Sequence, residues 1–370
     1  MNKNIVIVVS SMNLGGAQRV VSILSNYWAE KGYQISIVKT YTGDKKDHYT
    51  LNKNINEKRL TNIPFFPSIK LLNNAWKFVT LRKVIKDLKP DIIFSFLTGT
   101  NVATSLATIG FKCPLIICER AWPPFWTINR YFFWILRIII KKVKKVVVQT
   151  HDSKFWMNRN FPSSDVIVIP NPIDYPIRID KQLSINPDSL ITPDKKVIIS
   201  AGRLNILKQF DLLIRSFSNI HNEYPEWNLV ILGDGEEKEN LVKLAFNLNI
   251  NDKVFFPGSI GNISDWYVRA DLFVLPTKME GFPNVLLESM SYGLPCISFD
   301  CDTGPRDIIQ DGINGILVNT EEKESGITNA LIKLIRDDKL RKNFAQESIL
   351  IREKYSIKSI MQIWDKILRS

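Results

Sequence analysis

Cysteine and histidine are scarce in this sequence, and their placement argues against a zinc site. Four cysteines (Cys113, Cys118, Cys296 and Cys301) and three histidines occur in 370 residues. The cysteines form two distant pairs, and neither pair has a second CxxC or two histidines at ligand spacing nearby. Each cysteine lies in or beside an apolar, strand-like run, so we expect reduced, buried thiols.

Long apolar runs and a recognisable export signal are missing as well. The run Ile5–Val9 is too short for a signal peptide and leads into a polar loop. The longest apolar run, Tyr131–Ile140, contains Arg137 and falls short of the roughly 20 residues that a membrane-spanning helix needs. We therefore expect a cytoplasmic chain that does not span the membrane.

Acidic residues are scarce in only one half of the chain. Residues 1–180 contain 26 Lys and Arg against 11 Asp and Glu, a net charge of +15, whereas residues 181–370 contain 23 against 26, a net charge of −3. So strong a positive field is typical of proteins that meet a nucleic acid, an anionic membrane or a phosphorylated substrate. Composition alone does not distinguish between these three kinds of partner.

The sequence is rich in short β-branched runs that alternate with amphipathic stretches such as Ala17–Glu30. This alternation predicts an α/β protein with two mainly parallel sheets in tandem and a ligand at the carboxyl ends of the strands. Residues 170–196 are rich in Pro and Asp, lack a clear period and are predicted to be a linker. The predicted strands are Ile5–Val9, Gln34–Val38, Ile92–Phe96, Leu115–Cys118, Val146–Gln149 and Val166–Ile169, then Val197–Ser200, Leu229–Leu232, Val254–Phe256, Leu272–Leu275, Cys296–Phe299 and Ile316–Val318.

Three loops that follow predicted strands have residues suited to a phosphorylated ligand. Gly15 and Gly16 open the first helix, where a backbone without Cβ atoms and with unbonded N–H groups suits an anion, although a plain tight turn explains them too. The absence of GxGxxG counts against a dinucleotide site. Arg203 and Lys208 flank the second loop, where two cations either bind a diphosphate or are ordinary surface charges. The third loop, “LGDG” at 232–235, fits a sharp turn with close backbone approach.

The segment “EGFPNVLLE”, Glu280–Glu288, combines two carboxylates with a helix start. Pro283 fits the first helical turn, where its missing N–H costs nothing. We expect the free amides around it to point at a phosphate while Glu280 accepts hydrogen bonds from sugar hydroxyls and Glu288 reaches a ribose diol. Paired carboxylates are also typical of a retaining glycosidase, but a glycosidase needs neither the cations nor the glycine loops. The combination favours an activated, phosphorylated sugar.

At this point the motifs resemble a known family, the retaining family 4 glycosyltransferases of GT-B fold. The resemblance covers nearly the whole chain through “GGAQRV”, “PNPID”, “GRLNILKQFDLLI”, “LGDG” and “EGFPNVLLESMSYGLPCI”. The stretches “SFLTGTNVA” and “DTGPRDIIQDGINGILV” look like the bacterial subgroup that extends lipid-linked oligosaccharides for surface polysaccharide or protein glycosylation.

The resemblance implies an architecture of two Rossmann-like domains whose parallel sheets face each other across a cleft. Residues 1–172 with 356–370 would form an N-terminal domain that binds the acceptor and the membrane, because in this fold the segment Ile357–Leu368 usually returns to the first domain. Residues 173–355 would form a C-terminal domain that binds the nucleotide sugar.

The resemblance also implies residue roles. Arg203 and Lys208 would stabilise the diphosphate leaving group where other transferases use a metal, Glu280 would hold hydroxyls of the donor sugar, and Glu288 would bind the ribose. The other residues implied in donor binding are Gly15, Gly16, Gly281, Phe282, Pro283, Asn284, Val285 and Leu286. Transfer would retain the anomeric configuration by front-face attack, so we expect no enzymic nucleophile, no cofactor and no metal.

Two places need a separate interpretation. Many relatives carry a His after the strand that here is Leu115–Cys118, whereas this chain has Glu119 and Arg120. We hypothesise that Arg120 supplies the positive charge and that Glu119 orients it or the acceptor; a structural ion pair is the alternative. The triplet Asp300–Asp302 reads DCD, the metal-binding pattern of the other glycosyltransferase fold, but its position beside a Gly-Pro favours loop and helix-cap chemistry.

The positive charge of the first half is predicted to face a membrane. Four cations are spaced as one helical stripe with tryptophans beside them, and a basic, Trp-rich amphipathic segment is typical of membrane-surface binding. A solvated face is the alternative for this stripe and for a second one at Arg82, Lys86 and Lys89. Nucleic acid is not expected as a partner, because no recognition motif accompanies the charge. The residues of the first stripe are Arg130, Arg137, Lys141 and Lys144, with Trp126 and Trp134 nearby.

The sequence therefore predicts a retaining, metal-independent glycosyltransferase. It would move a hexose or N-acetylhexosamine from a nucleotide sugar, such as UDP-GalNAc, to a polyprenyl-diphosphate-linked saccharide in O-antigen, capsule or glycan assembly. It would act peripherally on the inner face of the plasma membrane. The alternatives are a UDP-sugar epimerase of the same two-domain fold, a tandem-Rossmann oxidoreductase, which the missing GxGxxG disfavours, and a non-catalytic sugar- or lipid-binding module.

Overall fold

The computed structural model describes residues 3–13, 15–40, 49–60, 70–125 and 130–369. The chain divides into two compact α/β units, unit 1 (Met1–Asn171 with Ile360–Ser370) and unit 2 (Pro172–Ser359). The first division falls one residue before the predicted boundary, and the chain rejoins unit 1 at residue 360 where 356 was predicted. None of the described helices is long and apolar enough to cross a membrane.

Unit 1 is built on a seven-stranded sheet of order β3-β2-β1-β4-β5-β6-β7 in which every neighbouring pair is parallel. Parallel neighbours require crossover connections, and a helix supplies each of them among the described residues except the one from β2 to β3. Its elements are β1 (Asn4–Val9), α1 (Gly16–Glu30), β2 (Gln34–Lys39), β3 (Asn56–Arg59), α2 (Lys70–Leu88), β4 (Ile92–Phe96), α3 (Thr98–Ala107), β5 (Leu115–Cys118), α4 (Arg130–Ile140), β6 (Lys145–Val148), α5 (His151–Asn160) and β7 (Val166–Val168).

Unit 2 repeats this plan with a six-stranded parallel sheet of order β10-β9-β8-β11-β12-β13. Its core cluster is formed by strand residues such as Ile198 and Leu229 together with Phe210, Phe217 and Leu331 from the covering helices. Its elements are β8 (Lys196–Ala201), α6 (Phe210–Ser218), β9 (Trp227–Leu232), α7 (Lys238–Asn247), β10 (Val254–Gly258), α8 (Ile263–Arg269), β11 (Leu272–Leu275), α9 (Asn284–Ser291), β12 (Cys296–Phe299), α10 (Pro305–Ile308), β13 (Gly315–Val318), α11 (Lys323–Arg336), α12 (Asp338–Ser348) and α13 (Ile351–Lys354).

The helix α14 (Ile357–Arg369) starts in unit 2 and continues into unit 1. Its Trp364 is fully buried in unit 1, with ring centroids 5.8 Å from Phe94 of β4 and 6.4 Å from Trp28 of α1. Asp365 on the same helix accepts hydrogen bonds from Tyr27, Trp28 and Lys31. Residues 360–369 therefore complete the core of unit 1 on the face of the sheet that α1 covers.

All of the predicted strands are present, with ends that differ by at most two residues, and the predicted α/β class is confirmed. The sequence did not predict β3, whose residues Asn56–Arg59 are all exposed. Edge strands of this kind carry charged side chains that protect the open edge and therefore show no apolar alternation.

The predicted linker is wrong for most of its length. Residues 172–196 belong to unit 2, and the part from Ile185 to Lys195 is held against α8. The backbone of Ile185 exchanges two hydrogen bonds of 3.0 Å with the Asn262 side chain, and the Trp266 indole donates to the Ile185 carbonyl at 3.1 Å. Arg269 donates to the carbonyls of Thr192 and Lys195. Polar side chains of a distant helix thus bind an aperiodic segment, which local sequence cannot reveal.

Candidate functional site

The loops after β8 and β11 meet at the centre of the unit 2 sheet. The strand order reverses between these two strands, which is where open α/β sheets leave a crevice for ligands. The two loops are bonded to each other, because the Lys278 amide and the Thr277 hydroxyl donate to the Leu207 carbonyl at 2.9 and 3.3 Å. A single rigid support therefore carries the predicted cations and the predicted carboxylate.

Lys208 and Glu280 form an ion pair on this support. Lys208 ends a short 3-10 turn, Ile206–Lys208, that is capped by the Asn205 side chain. Its ammonium donates to Glu280 Oε1, and the two side chains are only 17% and 12% exposed. A pair so weakly hydrated interacts more strongly than a surface pair. Two residues that the sequence placed 72 positions apart in one site are thus in direct contact.

Arg203 lies on the same loop but does not join this pair. Its guanidinium reaches Glu236 at 3.3 Å, and both side chains are exposed. Exposed pairs of this kind contribute about 0–1 kcal/mol, so little stabilisation opposes a movement of Arg203 toward an anion. The structure thus gives each of the two predicted cations its own carboxylate.

The glycines of “LGDG” bring two loops together, as expected for a sharp turn, but the close approach is to backbone. Gly233 has a φ of +125°, and a Cβ atom there would lie 1.9 Å from the Gly202 carbonyl oxygen. A Cβ atom at Gly235 would lie 2.3 Å from the Leu204 carbonyl oxygen. The loop after β9 therefore packs directly against the backbone on either side of Arg203.

A further loop supports Glu280 and was not predicted to do so. Gly304, with a φ of +103°, packs so closely that a Cβ atom would lie 2.9 Å from Pro283 Cδ and 3.3 Å from Glu280 Cβ. Gly304 follows the DCD triplet, whose Asp300 accepts from Arg306 Nε at 2.8 Å. Burial, with the Glu280 and Asp302 charges, raises the pKa of the Cys301 thiol to about 12. The cysteine near Glu280 is therefore protonated at neutral pH.

The start of α9 differs from the prediction by one position. Pro283 is the N-cap, and its carbonyl accepts from both Leu286 and Leu287 amides at 3.1 and 3.2 Å. The Leu286 amide is therefore already bonded, so the prediction that it is free for a ligand is wrong. The first turn of a helix often has such a bond between residues three positions apart. The Phe282 and Leu286 side chains are buried, which leaves the backbone of Phe282 to line a ligand.

The remaining predicted donor residues are placed as follows. Gly281 and Asn284 flank this turn, and Val285 accepts at its carbonyl from the Tyr267 hydroxyl at 3.4 Å. Glu288 lies one turn further along α9 and is buried. No group of three or more potential metal ligands occurs among the described residues. The donor roles of these residues stay predictions.

In unit 1, Glu119 follows β5 and is held by the start of α3. Thr98 Oγ1 donates to its Oε2 at 2.8 Å, and Asn101 Nδ2 donates to its Oε1 at 2.7 Å. Glu119 is 3% exposed. Burial raises the pKa of its carboxyl above the ordinary value of 4.5, although the two hydrogen bonds oppose the shift. Both carboxylate oxygens are thus fixed in place.

Arg120 takes its hydrogen-bond partner from elsewhere, although its charge and that of Glu119 still attract each other, so both the predicted roles and the alternative of a structural ion pair stay open. Its Nη1 donates to Asn171 Oδ1 at 3.2 Å, and its guanidinium lies over the rings of Phe96 and Trp364 at 5.2 and 5.6 Å. Gln149 holds Asn171 through a 2.8 Å hydrogen bond. Nε and Nη2 of Arg120 are buried with no nitrogen or oxygen partner among the described residues. Burial lowers the pKa of this guanidinium from its ordinary range.

The glycine turn of unit 1 has a partner that the sequence did not predict. Gly15 is the N-cap of α1 and Gly16 is its first residue. The Tyr49 hydroxyl lies 3.2 Å from the Gly15 nitrogen and donates to the Gly15 carbonyl at 2.9 Å. A ligand that approaches this backbone has to displace Tyr49, so the plain-turn interpretation stays open.

The first basic stripe is not a single helical stripe. The helix α4 ends at Ile140, so Lys141 and Lys144 lie beyond it, and the Lys144 amide already donates to Leu115 of the neighbouring strand β5. On the helix, Trp134 and Arg137 are exposed. Trp126 lies outside the described residues, and only the helical backbone of Arg130 is described. In the second stripe, Arg82 is structural, because it donates to the carbonyls of Ala107 and Ile109.

Comparison with known proteins places both units in one enzyme class. Residues 14–175 match the model of “Glycosyltransferase Family 4” and residues 182–350 match that of “Glycosyl transferases group 1”. Amylovoran biosynthesis glycosyltransferase AmsD of Erwinia amylovora is 27% identical over 100% of both chains. The α-1,4-N-acetyl-D-galactosaminyltransferase of Campylobacter jejuni that acts on GalNAc-α-(1→4)-GalNAc-α-(1→3)-diNAcBac-PP-undecaprenol is 27% identical over 98% of this chain and 97% of its own.

The solved structures agree on the fold. Anabaena Alr3699/HepE, crystallised in complex with UDP and glucose, matches with a TM-score of 0.81 at 18% identity over 100% of both chains, which establishes the fold alone. The predicted GT-B fold and the predicted family resemblance are confirmed. The chain therefore belongs to the GT-B glycosyltransferases that combine a Family 4 domain with a group 1 domain.

Proposed function

We propose that this glycosyltransferase moves a hexose or N-acetylhexosamine, with retention, from a UDP-sugar to a polyprenyl-diphosphate-linked saccharide during assembly of a bacterial surface glycan. The single observation that carries the donor half of this proposal is the Lys208–Glu280 pair at the strand reversal of unit 2. The acceptor half is supported by the undecaprenol-linked substrates in the names of relatives from Campylobacter jejuni.

The two cations would replace a metal at the leaving group. Lys208 is held in a weakly hydrated position, where a fixed positive charge stabilises developing negative charge far more than it would in water. Arg203 is exposed and only weakly held by Glu236, so it can close onto the diphosphate with its planar fork. Together they neutralise the UDP that departs, which makes a metal or other cofactor unnecessary.

Glu280 would position the sugar and would not attack it. One of its oxygens is occupied by Lys208, and the other is left to accept from sugar hydroxyls. A carboxylate engaged by an ammonium is a poor nucleophile, which favours front-face transfer assisted by the leaving phosphate. Glu288 would bind the ribose, and the backbone at 281–286, except for the bonded Leu286 amide, would line the sugar and phosphate.

In unit 1, Glu119 and Arg120 would act on the acceptor side. Glu119 has both oxygens fixed, so it would orient Thr98 and Asn101 toward an acceptor hydroxyl. Arg120 keeps two buried N–H groups without a nitrogen or oxygen partner, and its contact with the Cys118 thiol is a weak hydrogen bond that an anionic group can replace. The exposed Trp134, Arg137, Lys141 and Lys144 would hold the protein on the inner, anionic face of the membrane, with each cation near such a surface contributing roughly 1 kcal/mol.

The test is thermal unfolding of the purified protein in EDTA with UDP, UDP-GalNAc, UDP-glucose, GDP-mannose and NAD. Saturation at about 100 times Kd should raise Tm by roughly 5–10 °C for the UDP series. Lys208→Ala and Arg203→Ala should remove most of this shift, while Lys243→Ala, an exposed lysine on α7, should keep it.

Two results would overturn the proposal. A shift with NAD alone, or a UDP shift that survives in both variants, would show that the cations do not bind the diphosphate. Conversion of a UDP-sugar to its epimer without any acceptor would support the epimerase alternative instead.

A further inference from the structure

A cavity of about 600 Å³ opens in unit 1 beside the end of α4. Its walls are the segment from the last turn of α3 to the start of β5, the last turns of α4, and residues 142–144 before β6. Its volume lies within the roughly 300–1,000 Å³ of pockets that hold small ligands. The cavity is therefore large enough to hold a ligand of this size.

The lining of the cavity is apolar and partly exposed. Ile109, Ile135 and Ile138 line it and are 50%, 37% and 41% exposed. Single exposed apolar side chains need no explanation, but three around one cavity indicate a surface that something apolar covers. Arg82 fixes the wall by donating to the Ala107 and Ile109 carbonyls and by stacking 4.7 Å from the Phe111 ring.

The charged residues that line the cavity are all basic. Lys112, Lys142 and Lys144 line it, and all three are exposed. None of the lining residues, all of which belong to the described part of unit 1, is acidic. An apolar cavity ringed by lysines complements a molecule with a hydrocarbon chain and an anionic head.

The cavity lies at the opposite edge of the sheet from the acceptor residues. Leu115 and Lys144, which line it, stand at the amino ends of β5 and β6, whereas Glu119 and Arg120 follow the carboxyl end of β5. Four strand residues separate the two edges by about 10 Å. A phosphate bound at the cavity is therefore a different group from the diphosphate that Glu119 and Arg120 would meet.

We propose that this cavity binds one hydrocarbon chain of an anionic membrane phospholipid, with the phosphate of the same lipid held by Lys112, Lys142 and Lys144. The lipid would fix unit 1 on the bilayer in one orientation, independently of donor and acceptor. This goes beyond the proposed glycosyl transfer, because a membrane surface alone requires charge and does not require a cavity.

The native sequence supplies a reporter for this site. Cys113 lines the cavity and is half-buried, whereas Cys118, Cys296 and Cys301 are at most 2% exposed. Alkylation of the folded protein by N-ethylmaleimide, followed by mass spectrometry, therefore measures access to the cavity. Burial raises the pKa of Cys113, so all rates are compared at one pH.

The experiment compares four probes. Dodecyl phosphate below its micelle concentration and vesicles of phosphatidylcholine mixed with phosphatidylglycerol should slow Cys113 alkylation, by about tenfold at ten times Kd, since the unoccupied fraction falls as 1/(1 + [L]/Kd). Inorganic phosphate and vesicles of phosphatidylcholine alone should leave the rate within about twofold. This pattern would show that binding needs both the hydrocarbon chain and the negative charge of the probe.

Variants locate the site. Ile138→Glu puts a carboxylate at the mouth and should abolish protection by dodecyl phosphate. Lys142→Glu should remove the difference between the two kinds of vesicle. Val268→Glu, the same apolar-to-acidic change at an exposed residue on α8 of unit 2, should keep full protection. All three variants should keep the UDP-induced rise in Tm, which separates this site from the donor site.

Three results would contradict the proposals or separate them from each other. Protection by inorganic phosphate alone, or equal protection by both kinds of vesicle, would rule out a combined chain and phosphate site. Flotation with phosphatidylglycerol vesicles without Cys113 protection would leave surface adhesion only. Loss of UDP binding with Cys113 protection intact would contradict the proposed transfer and leave the lipid site standing.

Discussion

At the residue scale, the proposed chemistry depends on the contact between Glu280 and Lys208. Glu280→Gln keeps the shape of the side chain and removes its charge. We expect transfer to fall by about 10²–10³, because an uncharged amide oxygen is a weaker acceptor for the sugar hydroxyls than a carboxylate in a water-poor site. Affinity for UDP itself should hold or rise, because Lys208 is no longer neutralised. Initial rates and UDP titrations measure the two effects separately.

The matched control for this variant is Glu236→Gln, which removes the carboxylate from the exposed pair with Arg203. It should change the transfer rate by less than about threefold, as expected for a pair that contributes little. Equal losses in the two variants would show that bulk charge, and not the partly buried contact, matters.

Glu119 gives a prediction about pH. Its pKa is raised by burial, so above the ordinary value of 4.5 the unfolded chain ionises first and the folded state loses stability as pH rises toward the folded pKa. Glu119→Gln cannot ionise, although it loses part of the bonding to Thr98 and Asn101. The Tm of the variant relative to wild type should therefore increase from pH 4.5 upward. A constant difference across this range would contradict the raised pKa.

The residues also show what sequence reasoning reached and what it missed. Lys208 and Glu280 were both predicted as site residues because each follows a strand, and carboxyl ends of parallel strands share one edge. The partners of Arg120 and Gly15, namely Asn171 and Tyr49, were not predicted. Such contacts join residues 51 and 34 positions apart and leave no local pattern.

At the element scale, the loops after β8 and β9 form one interlocked support. Gly233→Ala would put a Cβ atom 1.9 Å from the Gly202 carbonyl oxygen at a positive φ. We expect unit 2 to lose at least about 2–3 kcal/mol of unfolding free energy, from strain and from the displaced backbone. Urea unfolding measures this loss.

Gly99→Ala in α3 is the control for this substitution. No heavy atom lies within 4 Å of its added Cβ, and its φ is not in the left-handed range. It should be neutral or stabilising by about 0.5–1 kcal/mol, since Ala favours a helix over Gly. A similar loss at both positions would argue against interlocked loops.

Elements with a strong apolar pattern were predicted well, and those shaped by distant contacts were not. β4, β5, β11 and β12 have the predicted ends because buried parallel strands are continuous apolar runs. The end of α4 was missed, because the spacing of cations continues past Ile140 while the chain turns to join β6. The segment that was predicted as a linker carries no pattern of its own and is ordered by α8.

At the scale of the whole molecule, the charge difference between the halves predicts salt-dependent binding. Residues 1–180 carry +15 and residues 181–370 carry −3. Flotation with phosphatidylglycerol vesicles should weaken by at least tenfold when the salt rises from about 0.1 M to about 1 M, where the screening length falls from roughly 10 to 3 Å. Phosphatidylcholine vesicles serve as the control. Salt-independent flotation would show that charge does not direct binding.

The two units also differ in when their residues are synthesised. Unit 2 is one continuous stretch, Pro172–Ser359, whereas unit 1 needs Trp364 to cover Trp28 and Phe94. On the ribosome, every residue of unit 2 is therefore made before unit 1 receives its last core residue. Unit 1 begins to be translated first, but it can finish folding only after unit 2 has been made. The aromatic surface of unit 1 that Trp364 will cover is therefore available to chaperones while unit 2 is synthesised.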